Sequence, residues 1–148
     1  MRNLLIVLFA ITFIFTATAM AGETPTPTSL DGVRIASTGE VKTMLGQQGI
    51  YIFDMRKALN YGKGHLKGAV SLPFKWLTEG ANPASRKGEF DMALLPADKN
   101  AKIIFYSDGP AGWKSYHAAK LTREAGYKNV IWMREGSAAW ESKGYPVE

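Results

Sequence analysis

The chain contains no cysteine. That absence excludes disulfide staples, thiolate metal sites, a cysteine nucleophile and an acylated N-terminal cysteine. Histidine is almost missing as well: His65 and His117 are the whole supply, too few for a histidine-rich metal centre. No metal and no cofactor is therefore expected. Charge of one sign never accumulates. The net charge is +5 and the pI near 9.5, but no block of five or six basic residues occurs. A basic stripe is the footprint of nucleic-acid binding, so no nucleic-acid partner is expected, and the excess reads as an ordinary solvated surface. What is present is 46% hydrophobic and 21% charged residues over 148 positions, enough for one domain with its own core.

One long apolar run exists, Leu4 to Phe15, preceded by Arg2 and followed by small residues. It has the length of a signal-peptide core and is short for a membrane span. Residues 1–21 are read as a cleavable signal peptide ending in Ala19-Met20-Ala21, with Ala17-Thr18-Ala19 as the competing site. The expected location is the periplasm or the exterior, without a stable membrane span after cleavage; an uncleaved anchor is the alternative. Without Arg2, 17 basic residues face 13 acidic ones. Residues 22–31 contain Thr24-Pro25-Thr26-Pro27-Thr28, whose prolines block helix and favour an extended spacer, so the segment reads as a bare linker ahead of a domain at 32–148.

Within that domain, Val33 to Ile35 reads as a short strand. Ser37-Thr38-Gly39-Glu40 fits a capping box that opens a helix through about Leu45. Gly49 to Asp54, Lys102 to Tyr106 and Asn129 to Met133 are continuous apolar runs of strand length, the pattern of strands buried on both faces. Ala69 to Leu72 is a further short strand, and Pro73 is expected to open a helical turn through Leu77. Thr78 to Asn100 reads as a surface excursion with a helical turn near Glu89 to Leu95. Trp113 to Ala125 carries Ala118, Leu121, Thr122 and Ala125 at helical spacing, with Gly126 as its stop. Ser137 to Ser142 closes the chain as a helix. Trp132 and Trp140 are expected in the core. Strands alternating with helices predict an α/β fold, a mostly parallel central sheet with helices on both faces.

Several motifs carry a family resemblance. Asp54-Met55-Arg56 ends a strand, and Gly64-His65-Leu66-Lys67-Gly68-Ala69 follows with Pro73 behind it. Near the end stand Gly126-Tyr127-Lys128-Asn129-Val130, Glu135-Gly136 with Ala139-Trp140, and Gly144-Tyr145-Pro146-Val147. In order and spacing these resemble rhodanese-like domains from about Gly32 to Val147. The resemblance implies a rhodanese-like three-layer sandwich and sulfurtransferase-related chemistry. Asp54, at the carboxyl end of a buried strand, lies where α/β sheets place their sites. It is read mainly as an acceptor for backbone amides or for Arg56, and His65 as a turn residue bonded to backbone.

The pattern fails at one point. The resemblance places a catalytic cysteine directly after the strand that ends in Tyr106, and here Ser107 stands there. Exported relatives carry a Cys-Trp pair before the helix; Trp113 matches the tryptophan, and Gly112 replaces the cysteine. Serine cannot form a persulfide, and as a hydroxyl nucleophile it needs a base. Neither His65 nor His117 is convincingly placed to be one. The loop could keep its second property. Gly109 and Gly112 let amides converge, Ala111 leaves space, and Lys114, Ser107 and Ser115 add charge and hydroxyls. The helix N-terminus would contribute about 0.3–1 kcal/mol toward an anion. Asp108 and the missing amide of Pro110 oppose this. The expectation is a monomeric rhodanese-like module without catalysis, binding an envelope protein or a small oxyanion through Ser107, Asp108, Gly109, Ala111, Gly112, Trp113, Lys114 and Ser115, with Asp54, Arg56 and His65 in support. Trp113 is either an exposed contact or a buried staple at the helix start. The alternative is a sulfurtransferase-related enzyme that borrows a partner's thiol.

Overall fold

The computed structural model describes residues 23–148, so the leader read at residues 1–21 lies outside the described residues. Five strands form one parallel sheet in the order β1-β7-β6-β2-β3: β1 (Arg34–Ile35), β2 (Ile50–Asp54), β3 (Val70–Ser71), β6 (Lys102–Tyr106) and β7 (Asn129–Met133). The three longest are the continuous apolar runs, and their side chains divide by parity between two cores. Phe53, Ile103, Phe105, Val130 and Trp132 pack with α3 (Trp113–Glu124) on one face. Ile52, Ile104, Tyr106, Ile131 and Met133 pack on the other with Val41 of α1 (Thr38–Met44) and Trp140 of α4 (Gly136–Ser142). The result is the three-layer α/β sandwich expected, with Trp132 and Trp140 fully buried. Among the described residues no helix is long and apolar enough to cross a membrane.

The capping box is formed as read: Ser37 Oγ accepts from the Glu40 amide at 3.2 Å, and Glu40 Oε2 accepts from the Ser37 amide at 2.8 Å. The sheet-facing stripe of α3 is turned from the one expected. Ser115, Ala118, Ala119 and Thr122 are buried, whereas Leu121 is half-buried and Ala125 exposed. The reason is a polar anchor: Ser115 Oγ accepts from the Trp132 indole at 3.0 Å, which sets the rotation of the helix on the sheet.

One local reading is corrected, and one helix was not read at all. Pro73 to Leu77 is not a helical turn. Lys75–Trp76 is strand β4, paired antiparallel with β5 (Gly88–Glu89). Burial of Phe74 and Phe90 in the α3-side core overrides the local turn signal of Pro73. The helical turn read near Glu89 to Leu95 is present as a single 3-10 turn at Met92–Leu94. The stretch Ala58–Lys63 is helix α2, for which the sequence offers no apolar stripe, and indeed none of its residues is buried.

Candidate functional site

The carboxyl ends of β2, β6 and β7 lie side by side, and all the residues singled out above except His65 start from them. Asp54 and Tyr106 are register partners at the ends of β2 and β6. Asp54 is fully buried, and its carboxylate is saturated. It accepts from Arg56 Nε at 3.0 Å, Arg56 Nη2 at 2.7 Å, the Arg56 amide at 2.9 Å and Tyr106 OH at 2.7 Å. Burial works against the Arg56 charge, but Asp54 outweighs it and raises the Arg56 pKa. Burial, then the Asp54 charge, pushes the Tyr106 hydroxyl well above the usual phenol range. Arg56 also donates to the Gly64 carbonyl at 2.7 Å and to Ser137 Oγ at 3.1 Å, tying together the turn after α2 and the start of α4. The three side chains form a brace, with no free lone pair aimed at solvent.

His65 belongs to a separate joint. Its ring stacks on Tyr61 with centroids 3.7 Å apart, and Nδ1 donates to the Tyr61 carbonyl at 3.1 Å. Its backbone pairs with Glu148 through two hydrogen bonds. No contact links it to Ser107. His117 is equally committed: Nε2 donates to the Pro83 carbonyl at 2.9 Å, and the ring packs among Phe74, Trp76, Trp113 and Tyr116. Burial lowers its pKa, so the imidazole is held neutral. Neither histidine is positioned as a base for Ser107, and a serine nucleophile is not assembled.

The loop from Ser107 to Gly112 has closed on itself. Ser107 is 1% exposed, and its hydroxyl reaches only Asp108 Oδ2 at 3.4 Å. The Gly112 amide donates to the Gly109 carbonyl at 2.7 Å, and the Trp113 amide to the Ala111 carbonyl at 2.9 Å. Two amides that could point at an anion are thereby used by the loop's own carbonyls, and Pro110 supplies none. The closure leaves no room for a side chain at 112: a Cβ there would lie 2.7 Å from the Gly109 carbonyl oxygen and 3.0 Å from Ser107 Cβ. Gly136 seals the loop from beneath. It holds φ +68°, and a Cβ there would stand 2.5 Å from the Gly109 nitrogen. The amides of Ser137 and Ala138 then bind the carbonyls of Ser107 and Asp108. Ser115 is turned inward, its hydroxyl donating to the Gly112 carbonyl at 2.9 Å.

Trp113 is a buried staple and not an exposed contact: it is 7% exposed, and its indole donates to the Thr24 carbonyl at 2.7 Å. That bond belongs to a feature the sequence reading missed. The Thr/Pro stretch taken for a bare linker is seated on the loop from Thr24 to Pro27. The Thr26 amide and hydroxyl both donate to the Pro110 carbonyl, at 2.8 and 2.6 Å, and Thr26 is 3% exposed. Arg134, directly after β7, donates to Thr26 Oγ1, the Thr26 carbonyl and the Pro27 carbonyl at 2.8–3.1 Å. The signal that could have found Arg134 is its place at the carboxyl end of a buried strand.

Above the loop lies a cleft of about 460 Å³, bordered by Glu23, Thr24, Trp76, Arg86, Asp108, Trp113 and Lys114. Its charged lining is mixed: Lys114 and Arg86 are matched by Asp108 and Glu23. Burial, then the nearby Lys57 charge, lowers the Lys114 pKa, and Asp108 only partly opposes them. Arg86 lies over the Trp76 ring, 5.6 Å from its centroid. Lys57, Arg86 and Trp76 were not among the residues expected. No group of histidines and acids that could hold a metal occurs among the described residues.

Comparison with known proteins agrees with this architecture. The family model described as a rhodanese-like domain matches residues 37–143. The uncharacterized protein YibN of Escherichia coli (strain K12) is 24% identical over 115 residues, which are 78% of this chain and 72% of YibN. The solution structure of the rhodanese-like domain of the Anabaena sp. Alr3790 protein is similar at a TM-score of 0.56, with 28% identity and 76% of each chain covered. The thiosulfate sulfurtransferase of Pseudomonas aeruginosa shares the fold at a TM-score of 0.55 and 22% identity, over 78% of this chain and 20% of that one.

Proposed function

The chain belongs to the rhodanese-like domain family, and we propose that within it this protein is a non-catalytic module of the bacterial envelope that holds an acidic segment of a protein partner against the rebuilt loop. The observation that carries this reading is the placing of Lys114, Arg86 and Trp76 together on the wall of the cleft over the loop, in a chain with no thiol. Lys114 and Arg86 can each donate charge-assisted hydrogen bonds to an incoming carboxylate, and such bonds are the strong ones. Trp76 beside Arg86 offers the aromatic surface on which protein contacts concentrate. A small oxyanion is a weaker fit, because the amides of Gly112 and Trp113 already have partners and Asp108 faces the site. Borrowing a partner's thiol is weaker still, because Ser107 is sealed under Gly112 and transfers would have to pass a closed loop. The envelope assignment rests on reading residues 1–21 of the sequence as a signal peptide.

The test is a titration of the purified protein, followed by tryptophan fluorescence, with hexaglutamate and separately with thiosulfate, sulfite and phosphate. The expected result is saturable binding of hexaglutamate that weakens with salt and in Lys114→Glu, with no saturation by the small anions. Saturation by a small anion with no response to hexaglutamate would replace the protein partner with an oxyanion. Turnover of thiosulfate would end the non-catalytic reading altogether.

A further inference from the structure

The Thr24–Pro27 segment uses the groups that an incoming chain would need. It meets the loop almost wholly through backbone: the Thr24 carbonyl on the Trp113 indole, the Thr26 amide on the Pro110 carbonyl, and the Thr26 and Pro27 carbonyls on Arg134. Such contacts recognise an extended chain with little regard to side chains, apart from the Thr26 hydroxyl set between Pro110 and Arg134. Pro25 and Pro27 hold φ near the extended value in advance, which lowers the entropy lost on seating.

Arg134 is the unbalanced member of this arrangement. Its guanidinium has three neutral acceptors, and no acid pairs with it among the described residues. A carboxylate adds a direct charge–charge attraction to bonds that a carbonyl receives from the guanidinium charge alone, and its two oxygens match the flat fork in two-point fashion. A neutral carbonyl pair is therefore a replaceable occupant of that fork. The segment also forms one wall of the cleft through Thr24, so its seating and the filling of the cleft are linked in space.

We propose that Thr24–Pro27 is a built-in lid that occupies Arg134 and covers the loop, and that an acidic, extended segment of the partner displaces it, with Arg134 as an anchor of the bound state. This rests on the acidic-partner reading above and adds its regulation. While the lid is seated, the apparent affinity is reduced by the fraction of molecules in which it is open.

The experiment compares hexaglutamate affinity in the full protein, in a variant with residues 24–27 replaced by Gly-Gly-Pro-Gly, which removes both the amide and the hydroxyl that hold position 26 on Pro110, and in that variant with Arg134→Gln added. Circular dichroism confirms that each is folded, and Thr26→Val serves as a near-isosteric second route to unseating the lid. The lid predicts affinity increased about tenfold or more in the replaced variant, as expected for a site open about a tenth of the time. It predicts a smaller gain in Thr26→Val and loss of the gain when Arg134→Gln is added. Equal affinity in the full and replaced proteins would overturn the lid and leave the acidic-partner reading standing. A gain that survives Arg134→Gln would overturn the anchor role. Absence of hexaglutamate binding in every variant would remove the partner reading and the lid with it.

Discussion

Two neighbouring strand ends have been treated in opposite ways. β2 ends at Asp54 and β6 at Tyr106, register partners in the same sheet. At the first, both carboxylate oxygens are paired: the Arg56 guanidinium, the Arg56 amide and the Tyr106 hydroxyl enclose a buried Asp54. Directly after the second, Ser107 opens a loop whose amides are turned onto its own carbonyls and whose outer rim carries Lys114 and Asp108. The brace therefore does not depend on the chemistry next to it. The loop after β6 is closed while the scaffold beside it stays intact, and Lys114 and Asp108 are left at its rim.

The comparison breaks most severely at the brace. Asp54→Asn leaves the buried Arg56 charge without its counter-ion, and unfolding free energy should fall by about 3–5 kcal/mol in a denaturant titration. A loss under 1 kcal/mol would mean that the brace is ornamental. Gly136→Ala comes next. It forces a Cβ into the Gly109 nitrogen at a left-handed φ, and left-handed backbone alone costs a non-glycine residue about 1–3 kcal/mol. The expected result is a lower melting temperature together with greater acrylamide quenching of Trp113, as the loop lifts.

Acid supplies a milder test on the flank of the loop. The His117 pKa is lowered in the folded state by burial, so at mildly acidic pH the unfolded chain takes up a proton that the folded one refuses. Its contribution is intact above the ordinary histidine value, about 6.5, and is lost as pH falls below it toward the depressed folded value. His117→Phe should flatten that part of the stability profile while losing roughly 1 kcal/mol near neutral pH from the Pro83 hydrogen bond. An unchanged acid limb would show that another group carries it.

The parts of the fold legible in the sequence are those encoded by neighbours. The runs Lys102–Tyr106 and Asn129–Met133 match β6 and β7, since both-sided burial writes continuous apolarity. The capping box at Ser37 and Glu40 is likewise local. Helix α2 was invisible because it buries nothing, and β4 was misread because Phe74 is held by Phe90 and α3, not by its own turn. In the site, the missing thiol could be read directly at Ser107. The closure of the loop could not: it depends on Gly136 beneath it, far along the chain. The seating of Thr26 depends on Pro110 and Arg134, 84 and 108 residues away, so proline content announced an extended segment without announcing where it would lie.

The central claim is that this loop differs from a sulfur-carrying one by its closure as well as by one atom. The most direct measurement is Ser107→Cys, incubated with thiosulfate and examined by mass spectrometry for an added sulfur, with cyanide as acceptor to detect turnover. Closure under Gly112 predicts a folded protein that gains neither persulfide nor turnover. A persulfide that forms readily at Cys in that variant, or thiosulfate turnover, would show that only the sulfur atom had been lost and would contradict the account.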